Sequence, residues 1–310
     1  MAWLLACIQP PDPSTWTGLP AGDGWPDEAG EPIPAPGGLD APWLEDVAAY
    51  GRDELPSGRA DAGSFGVGNG QVFGMIGLDD PVNTLTNAIG PGYDADAGFF
   101  GDSAFLLDTE VTDARVQRVR GTAIVRTWEA GDGAELSTTS FAAPDDPVLV
   151  RLVTVSATRA GAVRWSIARA DDEDPSTDEL TQTRGSRRTR LTCETGSLID
   201  DGWEIPFEAG EATIRCEQAF ADGDFTSTTA TVDDARAAAS DALAGAMTLE
   251  APDPKVIDLY EGMLITEWTQ TTNDLVSPMS RYTRGWLRDT EGPVRLWLRA
   301  GLHEIGRAHV

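Results

Sequence analysis

Lysine and histidine are nearly absent from this sequence. Lys255 is the only lysine among the 23 basic residues, and 51 acidic residues give a formal net charge of −28. Because such an acidic surface repels phosphate backbones, we predict that the chain does not bind nucleic acid. The two histidines, His303 and His309, both lie near the C-terminus, which leaves little basis for a Ser–His nucleophile or a histidine-ligated metal. We therefore predict no metal site and no cofactor.

Long apolar runs are also missing, since no stretch reaches the roughly 18 residues that indicate a membrane-spanning helix. At the N-terminus, however, Leu4-Leu5-Ala6-Cys7 resembles a bacterial lipobox, in which the cysteine becomes lipidated. A basic region and a full apolar stretch, which an export signal normally has, do not precede it. Residues 8–58 are rich in Pro, Gly and acidic residues, a composition typical of a flexible tether. We expect an exported bacterial lipoprotein, periplasmic or on the cell surface, tethered to the membrane through Cys7, unless the match is accidental.

The two remaining cysteines, Cys193 and Cys216, lie in segments with a strand-like pattern, residues 189–194 and 212–218. A turn-rich stretch separates these segments. If the chain is exported, a cross-strand disulfide between them is an option. The alternative is a pair of buried free thiols.

The middle of the chain consists of short β-like runs separated by turn residues. Gly68-Asn69-Gly70 and Gly131-Asp132-Gly133 are hairpin signals. A spacing of about 8–12 residues between turns favours a β-sandwich over alternating βαβ units. The predicted strands cover residues 65–70, 72–77, 117–129, 134–141, 147–158, 163–168, 187–194, 202–207, 212–219 and 225–230.

The last part of the chain changes to helical patterns. Residues 232–246 are rich in alanine, residues 256–274 carry apolar side chains at helical spacing, and a further helix is predicted from Thr290 to about Leu302. A long loop, residues 275–289, lies between the last two helices. We expect a signal remnant and tether over residues 1–58, a β-sandwich over 59–231, a helical linker over 232–255 and the start of a second domain over 256–303.

The loop before the last predicted helix contains Trp286-Leu287-Arg288-Asp289. This W-x-R-D pattern resembles a segment of the glucoamylases, glycoside hydrolase family 15. The order of sandwich, helical linker and helices is similar to that family and to family 65, and Gly68-Asn69-Gly70 resembles a turn of the same group. The resemblance covers about residues 60–303 and implies the six-hairpin glycosidase superfamily. The implied fold is mainly β, with a β-supersandwich, a helical linker and the first helices of a truncated (α/α)6 barrel.

The chemistry of these loop residues suits sugar recognition. A guanidinium such as that of Arg288 offers five fixed donors, and a carboxylate such as that of Asp289 accepts hydroxyl protons. The indole of Trp286 offers a flat wall for the apolar face of a sugar ring. The resemblance implies that Arg288 and Asp289 bind the sugar that precedes the scissile bond. The alternative is that Asp289 caps the following helix and Arg288 forms a surface ion pair.

The resemblance also implies what the parent protein does. It would be a glycoside hydrolase that cleaves α-glucosidic bonds of oligo- or polysaccharides, with inversion. Inverting enzymes use two carboxylates about 6.5–9.5 Å apart, and in the resembled family both lie further along the barrel than this chain extends. We therefore assign no catalytic residue here and expect the 310-residue chain alone to be inactive.

Two other functions stay open at this point. A phosphorylase similar to family 65 would use phosphate in place of water. A non-catalytic, carbohydrate-binding or surface-anchored β-sandwich lipoprotein would fit the composition but would leave the helix–loop–helix tail unexplained.

The final residues read Glu304-Ile305-Gly306-Arg307-Ala308-His309-Val310. This string matches the translation of a widely used sequencing adapter. We expect residues 304–310 to be an artefact and the natural protein to continue beyond about His303.

Overall fold

The computed structural model describes residues 47–48, 65–77, 81–91, 99–119, 121–167, 180–184, 186–199, 202–250, 254–272, 275–276 and 294–302. All of these belong to one unit, Pro42–Val310. Fifteen strands form two antiparallel sheets. They are β1 (Val47–Ala48), β2 (Phe65–Gly68), β3 (Phe73–Ile76), β4 (Leu85–Ile89), β5 (Ser103–Leu107), β6 (Val111–Val119), β7 (Val125–Gly131), β8 (Ala134–Ala142), β9 (Val148–Ala157), β10 (Gly161–Ile167), β11 (Leu180–Arg184), β12 (Arg187–Cys193), β13 (Ser197–Ile199), β14 (Gly202–Phe207) and β15 (Gly210–Ala221).

One sheet has eight strands in the order β1-β6-β7-β8-β9-β15-β12-β11, and the other has seven in the order β13-β14-β10-β5-β4-β3-β2. Apolar side chains from both sheets share the space between them. Phe105 and Trp165 of the seven-stranded sheet stack with ring centres 4.9 Å apart, and they pack with Val153 and Leu191 of the eight-stranded sheet. The chain therefore forms a β-sandwich with its main core between the sheets.

The first part of the central strand β9, residues 148–151, is buried on both faces. Leu149 and Val153 face the core between the sheets, whereas Val148 and Val150 face outward, where they pack against Ala235 of a helix. Because both faces meet apolar neighbours there, the strand begins with the apolar run Val148-Leu149-Val150, whereas its second half, from Val153 to Ala157, alternates apolar and polar residues.

That helix is α1 (Val232–Leu243), which follows the sandwich in sequence. It begins with a capping box, in which the Thr231 hydroxyl accepts a hydrogen bond from the Asp234 amide and the Asp234 carboxylate accepts one from the Thr231 amide. α2 (Pro254–Gln270) comes next, then a small hairpin of β16 (Thr271–Thr272) and β17 (Leu275–Val276), and a helix over residues 294–299. No described helix combines the length and apolar character that crossing a membrane requires.

Two predicted strands differ from the structure. The segment 117–129 forms two strands, because a tight turn at residues 121–123 separates β6 from β7. Gly121 has a φ of +65°, and Thr122 donates from its hydroxyl to the Val119 carbonyl at 2.8 Å. The segment 225–230 is not a strand, since it pairs with neither sheet. Its Thr228 and Ala230 carbonyls instead accept hydrogen bonds from Arg215 of β15.

The core between the sheets also contains a buried charged network. Arg151 of β9 is fully buried, donates to the Ser140 hydroxyl at 3.3 Å and to the Asn83 carbonyl, and lies 4.6 Å from the centre of the Phe105 ring. Asn83 in turn donates from its amide side chain to the Glu129 carboxylate at 2.7 Å. Burial lowers the pKa of Arg151 to about 9, and the charge of Glu129 acts in the opposite direction.

Candidate functional site

The residues predicted to bind substrate, Trp286, Arg288 and Asp289, lie outside the described residues, as does Cys7. The structure does describe the elements on either side of them in sequence. These are α2, which ends at Gln270, and the helix that starts at residue 294. The contacts of these two elements with the rest of the chain fix the two points between which the loop runs.

The C-terminal end of α2 lies directly on strand β2. A Cβ atom added to Gly68 would lie 2.4 Å from the Thr269 carbonyl oxygen, and one added to Gly66 would lie 2.9 Å from the Thr269 hydroxyl oxygen. Real Cβ atoms do not approach other atoms so closely, so only glycine permits this contact. The side chain of Thr269 is fully buried there. The two glycines of β2 therefore bring the end of α2 onto the sandwich.

Arg118 of β6 fixes the middle of α2. Its guanidinium donates to the Gly262 carbonyl and to the Thr266 hydroxyl, both at 2.9 Å, and lies 5.6 Å from the centre of the Phe65 ring. The side chain is only 4% exposed. Charged hydrogen bonds in a buried setting are among the stronger ones in proteins. We call the contact of α2 with Arg118, Gly66 and Gly68 the α2 clamp.

The turn between β2 and β3 is fixed as well. The Asn69 side-chain oxygen accepts hydrogen bonds from the amides of Gln71 and Val72 at 2.9 and 3.0 Å. Its side-chain nitrogen donates to the carbonyls of Ala143 and Asp146, the latter at 2.9 Å, in the connection between β8 and β9. Asn69 thus ties the turn to the other sheet, which holds β2 rigidly beneath α2.

The helix over residues 294–299 packs on α2 through a second apolar cluster. Trp297 is fully buried against Leu264 of α2, together with Ala300 and Leu302. Tyr260 of α2 contributes a partly buried ring to this cluster, and its hydroxyl donates to the Met247 carbonyl at 2.8 Å. The two elements that flank the candidate loop are therefore held by one packed cluster.

Glu267 of α2 lies in an environment that perturbs its titration. It lies one turn before the helix ends, and desolvation by burial raises its pKa to about 7. Near neutral pH its carboxyl group is therefore close to half protonated. This burial is not predictable from the sequence, because the apolar spacing of α2 does not indicate which polar residues become buried.

The two cysteines outside the N-terminal segment are joined in a disulfide. Cys193 and Cys216 lie opposite each other on β12 and β15, with Cα atoms 4.1 Å apart. Cys216 is fully buried in the cluster that contains Leu191 and Trp165. The bond therefore cross-links the eight-stranded sheet from within its core. Within the described part of the chain, no group of three or more Cys, His, Asp or Glu residues could hold a metal ion.

No protein-family model matches the chain, and no curated protein sequence matches it. Among solved structures, the fold is similar to that of a bacterial glucoamylase in complex with acarbose, with 11% identity and a TM-score of 0.56, over 84% of this chain and 51% of that one. A second similar structure is a protein assigned as a kojibiose phosphorylase from the human microbiome, with 6% identity and a TM-score of 0.42, over 66% of this chain and 39% of that one.

The chain thus spans about half the length of the glucoamylase and less of the second protein. At such low identity the likeness shows the fold alone. The predicted fold class is confirmed, since the described residues form two antiparallel sheets in a sandwich with few helices.

Proposed function

We propose that this chain is the N-terminal part of a glycoside hydrolase that acts on α-glucosidic bonds of oligo- or polysaccharides. The observation that carries the proposal is the likeness of fold to a bacterial glucoamylase over 84% of the chain. The position of Trp286-Leu287-Arg288-Asp289 in the sequence, between α2 and the helix at residues 294–299, supports it. The substrate is a carbohydrate, and the catalytic carboxylates belong to a part of the protein beyond this chain.

In this proposal the loop between the two helices holds the sugar that precedes the scissile bond. Arg288 donates to its hydroxyl groups, Asp289 accepts from them, and Trp286 stacks on the ring. The α2 clamp supports this role, because a site needs a rigid frame to hold a substrate in a reactive position. The chain by itself is inactive, since an inverting reaction needs two carboxylates across the scissile bond.

We also propose that the protein is exported and tethered to a bacterial membrane through a lipid on Cys7. The disulfide between Cys193 and Cys216 supports export, because such bonds persist in oxidising compartments.

The test uses the uninterrupted natural reading frame that contains this sequence. We expect it to encode several hundred further residues, and we expect the purified protein to release glucose from maltotriose. Arg288→Ala and Asp289→Ala should each lower kcat/KM by at least about 100-fold, which corresponds to about 3 kcal/mol of transition-state stabilisation. Arg284→Ala, in the same loop but outside the W-x-R-D pattern, is the matched control and should lower kcat/KM much less.

Two outcomes would contradict the proposal. A reading frame that stops after Val310 would favour a surface-anchored, carbohydrate-binding sandwich. Full activity in the Arg288→Ala and Asp289→Ala variants would remove the loop from the site. The same assay with added inorganic phosphate tests the phosphorylase alternative, because that enzyme would release glucose 1-phosphate instead of two neutral sugars.

A further inference from the structure

A cleft lies at one end of the sandwich, where three turns of the chain meet. The turns join β5 to β6, β7 to β8, and β9 to β10, and the end of β14 closes one side. The cleft has a volume of about 390 Å³. This is within the range of about 300–1,000 Å³ that is usual for small-molecule sites.

The cleft lies far from the α2 clamp. Strand β6 runs from the turn at the cleft, starting at Val111, to Val119, next to Arg118. At about 3.4 Å per residue, its nine residues separate the two places by roughly 27 Å. A ligand of the cleft therefore does not contact the α2 clamp.

The floor of the cleft is apolar. Leu107, Ala134 and Phe207 line it, and all three are partly buried on the outer side of the core cluster around Trp165. A Cβ atom at Gly161 would lie 2.7 Å from the edge of the Phe207 ring. Gly161 thus allows the ring to lie against the backbone of the β9–β10 turn. This places an aromatic ring in the cleft with part of its surface exposed.

The rim of the cleft is polar and carries both charges. Asp108 and Asp132 are exposed on two of the turns, and Arg159 is exposed on the third. Two of the three turns are tied to each other, since the Thr158 amide of the β9–β10 turn donates to the Gly133 carbonyl of the β7–β8 turn at 2.9 Å. Carboxylates that accept and a guanidinium that donates therefore stand on a fixed frame around an apolar floor.

We propose that this cleft is a second, non-catalytic binding site for a short neutral oligosaccharide. The apolar face of one sugar ring packs on Phe207, while Asp108, Asp132 and Arg159 exchange hydrogen bonds with its hydroxyl groups. The choice of a sugar as ligand rests on the proposed function. The choice of a neutral one rests on charge, because two carboxylates face one arginine in a protein of net charge −28, which disfavours an anion.

The experiment is a titration of the 310-residue chain with maltotriose, followed by amide NMR spectra. We expect the amide signals of Gly133 and Gly161 to shift in a saturable way. Arg159→Ala and Phe207→Leu should each weaken binding about tenfold, as the loss of a charged hydrogen bond or of a stacking surface does. Arg164→Ala, an exposed arginine of β10 outside the cleft, should leave the affinity unchanged. The anionic trisaccharide trigalacturonate should bind much more weakly than maltotriose.

The outcomes separate this proposal from the proposed function. If maltotriose does not shift Gly133 and Gly161, or if Arg159→Ala and Phe207→Leu bind it as the natural chain does, the cleft is not a saccharide site. If only Arg288→Ala abolishes binding, the sugar occupies the loop, which overturns the cleft proposal and supports the proposed function. If the longer protein releases no glucose but the cleft variants lose binding, the cleft stands and the hydrolase proposal falls. Thermal unfolding of each variant checks that it is folded.

Discussion

Replacing Arg118 by Met should loosen α2 without unfolding the sandwich. The change removes the two hydrogen bonds that the guanidinium donates to Gly262 and Thr266, each at 2.9 Å. Methionine keeps an unbranched apolar stem that still packs on the Phe65 ring. The substitution therefore removes the charge and the hydrogen bonds of the side chain but keeps its apolar packing on Phe65.

The size of the effect follows from these two bonds. A hydrogen bond from a charged donor contributes about 1.5–3 kcal/mol. The Gly262 carbonyl also accepts a hydrogen bond from the Thr266 hydroxyl at 2.7 Å. In the variant this carbonyl therefore keeps a donor, and the Thr266 hydroxyl, which loses Arg118, still donates. We therefore expect a loss near the lower end of the sum, about 3 kcal/mol. A change of this size should raise the amide exchange rates of α2 roughly a hundredfold.

Hydrogen exchange followed by mass spectrometry measures this effect locally. Peptides from α2 should exchange faster in Arg118→Met, whereas peptides from β9 and β15 should exchange as in the natural chain. Arg115→Met is the matched control, because Arg115 lies on the same strand, forms an ion pair with Asp113 and lies over the Trp128 ring. Unchanged exchange in α2, or an equal rise in α2 and β9, would show that the guanidinium does not clamp the helix.

Three further changes test other parts of the structure. Arg151→Met should lower the free energy of unfolding by about 3–5 kcal/mol, because it removes a buried cation that interacts with the buried Glu129 charge. Arg151→Met combined with Glu129→Met should recover most of this loss. Urea unfolding of the two single variants and the double variant checks the coupling, and purely additive effects would contradict it. Glu267 has a pKa of about 7 in the folded chain and about 4.3 in the unfolded chain. Between these pH values the folded state binds more protons than the unfolded state. The free energy of unfolding should therefore fall as pH rises from about 4.5 to 7. Glu267→Gln should remove this pH dependence and raise the free energy of unfolding at pH 8 by about 1–3 kcal/mol. Urea titrations at pH 5 and pH 8 measure both effects. An unchanged pH dependence in the variant would show that other groups cause it. Reduction of the Cys193–Cys216 bond, which spans 23 residues, should lower stability by about 3 kcal/mol, and the doubly alanine-substituted chain should not respond to reductant.

The parts of the fold that the sequence predicts well are those with local causes. Gly131-Asp132-Gly133 marks the hairpin between β7 and β8 because Gly133 adopts a φ of +74°, which glycine adopts readily. The helical spacing of residues 256–274 likewise predicted α2, which ends four residues earlier, at Gln270. In both cases the signal and the structure lie within a few residues of each other.

The strands that the sequence pattern does not predict, such as β11, depend on partners that are distant in the sequence. β11 reads LTQTR and has no apolar alternation, yet Gln182 in its centre is buried and accepts a hydrogen bond from the Gly101 amide at 2.9 Å. Conversely, the segment 225–230 has a strand-like pattern, yet it pairs with neither sheet and two of its carbonyls accept hydrogen bonds from Arg215 instead. For the candidate site, the sequence supplies the chemistry of Trp286, Arg288 and Asp289. The frame around them depends on contacts such as that of Arg118 with Gly262, which are 144 residues apart.

The strand order determines when the sandwich can assemble during synthesis. β9 pairs with β8 on one side and with β15 on the other, and β15 leaves the ribosome only after five further strands, β10 to β14, of the two sheets. At about 5–20 residues per second, the apolar edge of β9 is without its partner for seconds. Such an edge is a template for aggregation. In a nascent chain of this topology, this edge therefore stays open to pairing with other chains until residue 221 has been made.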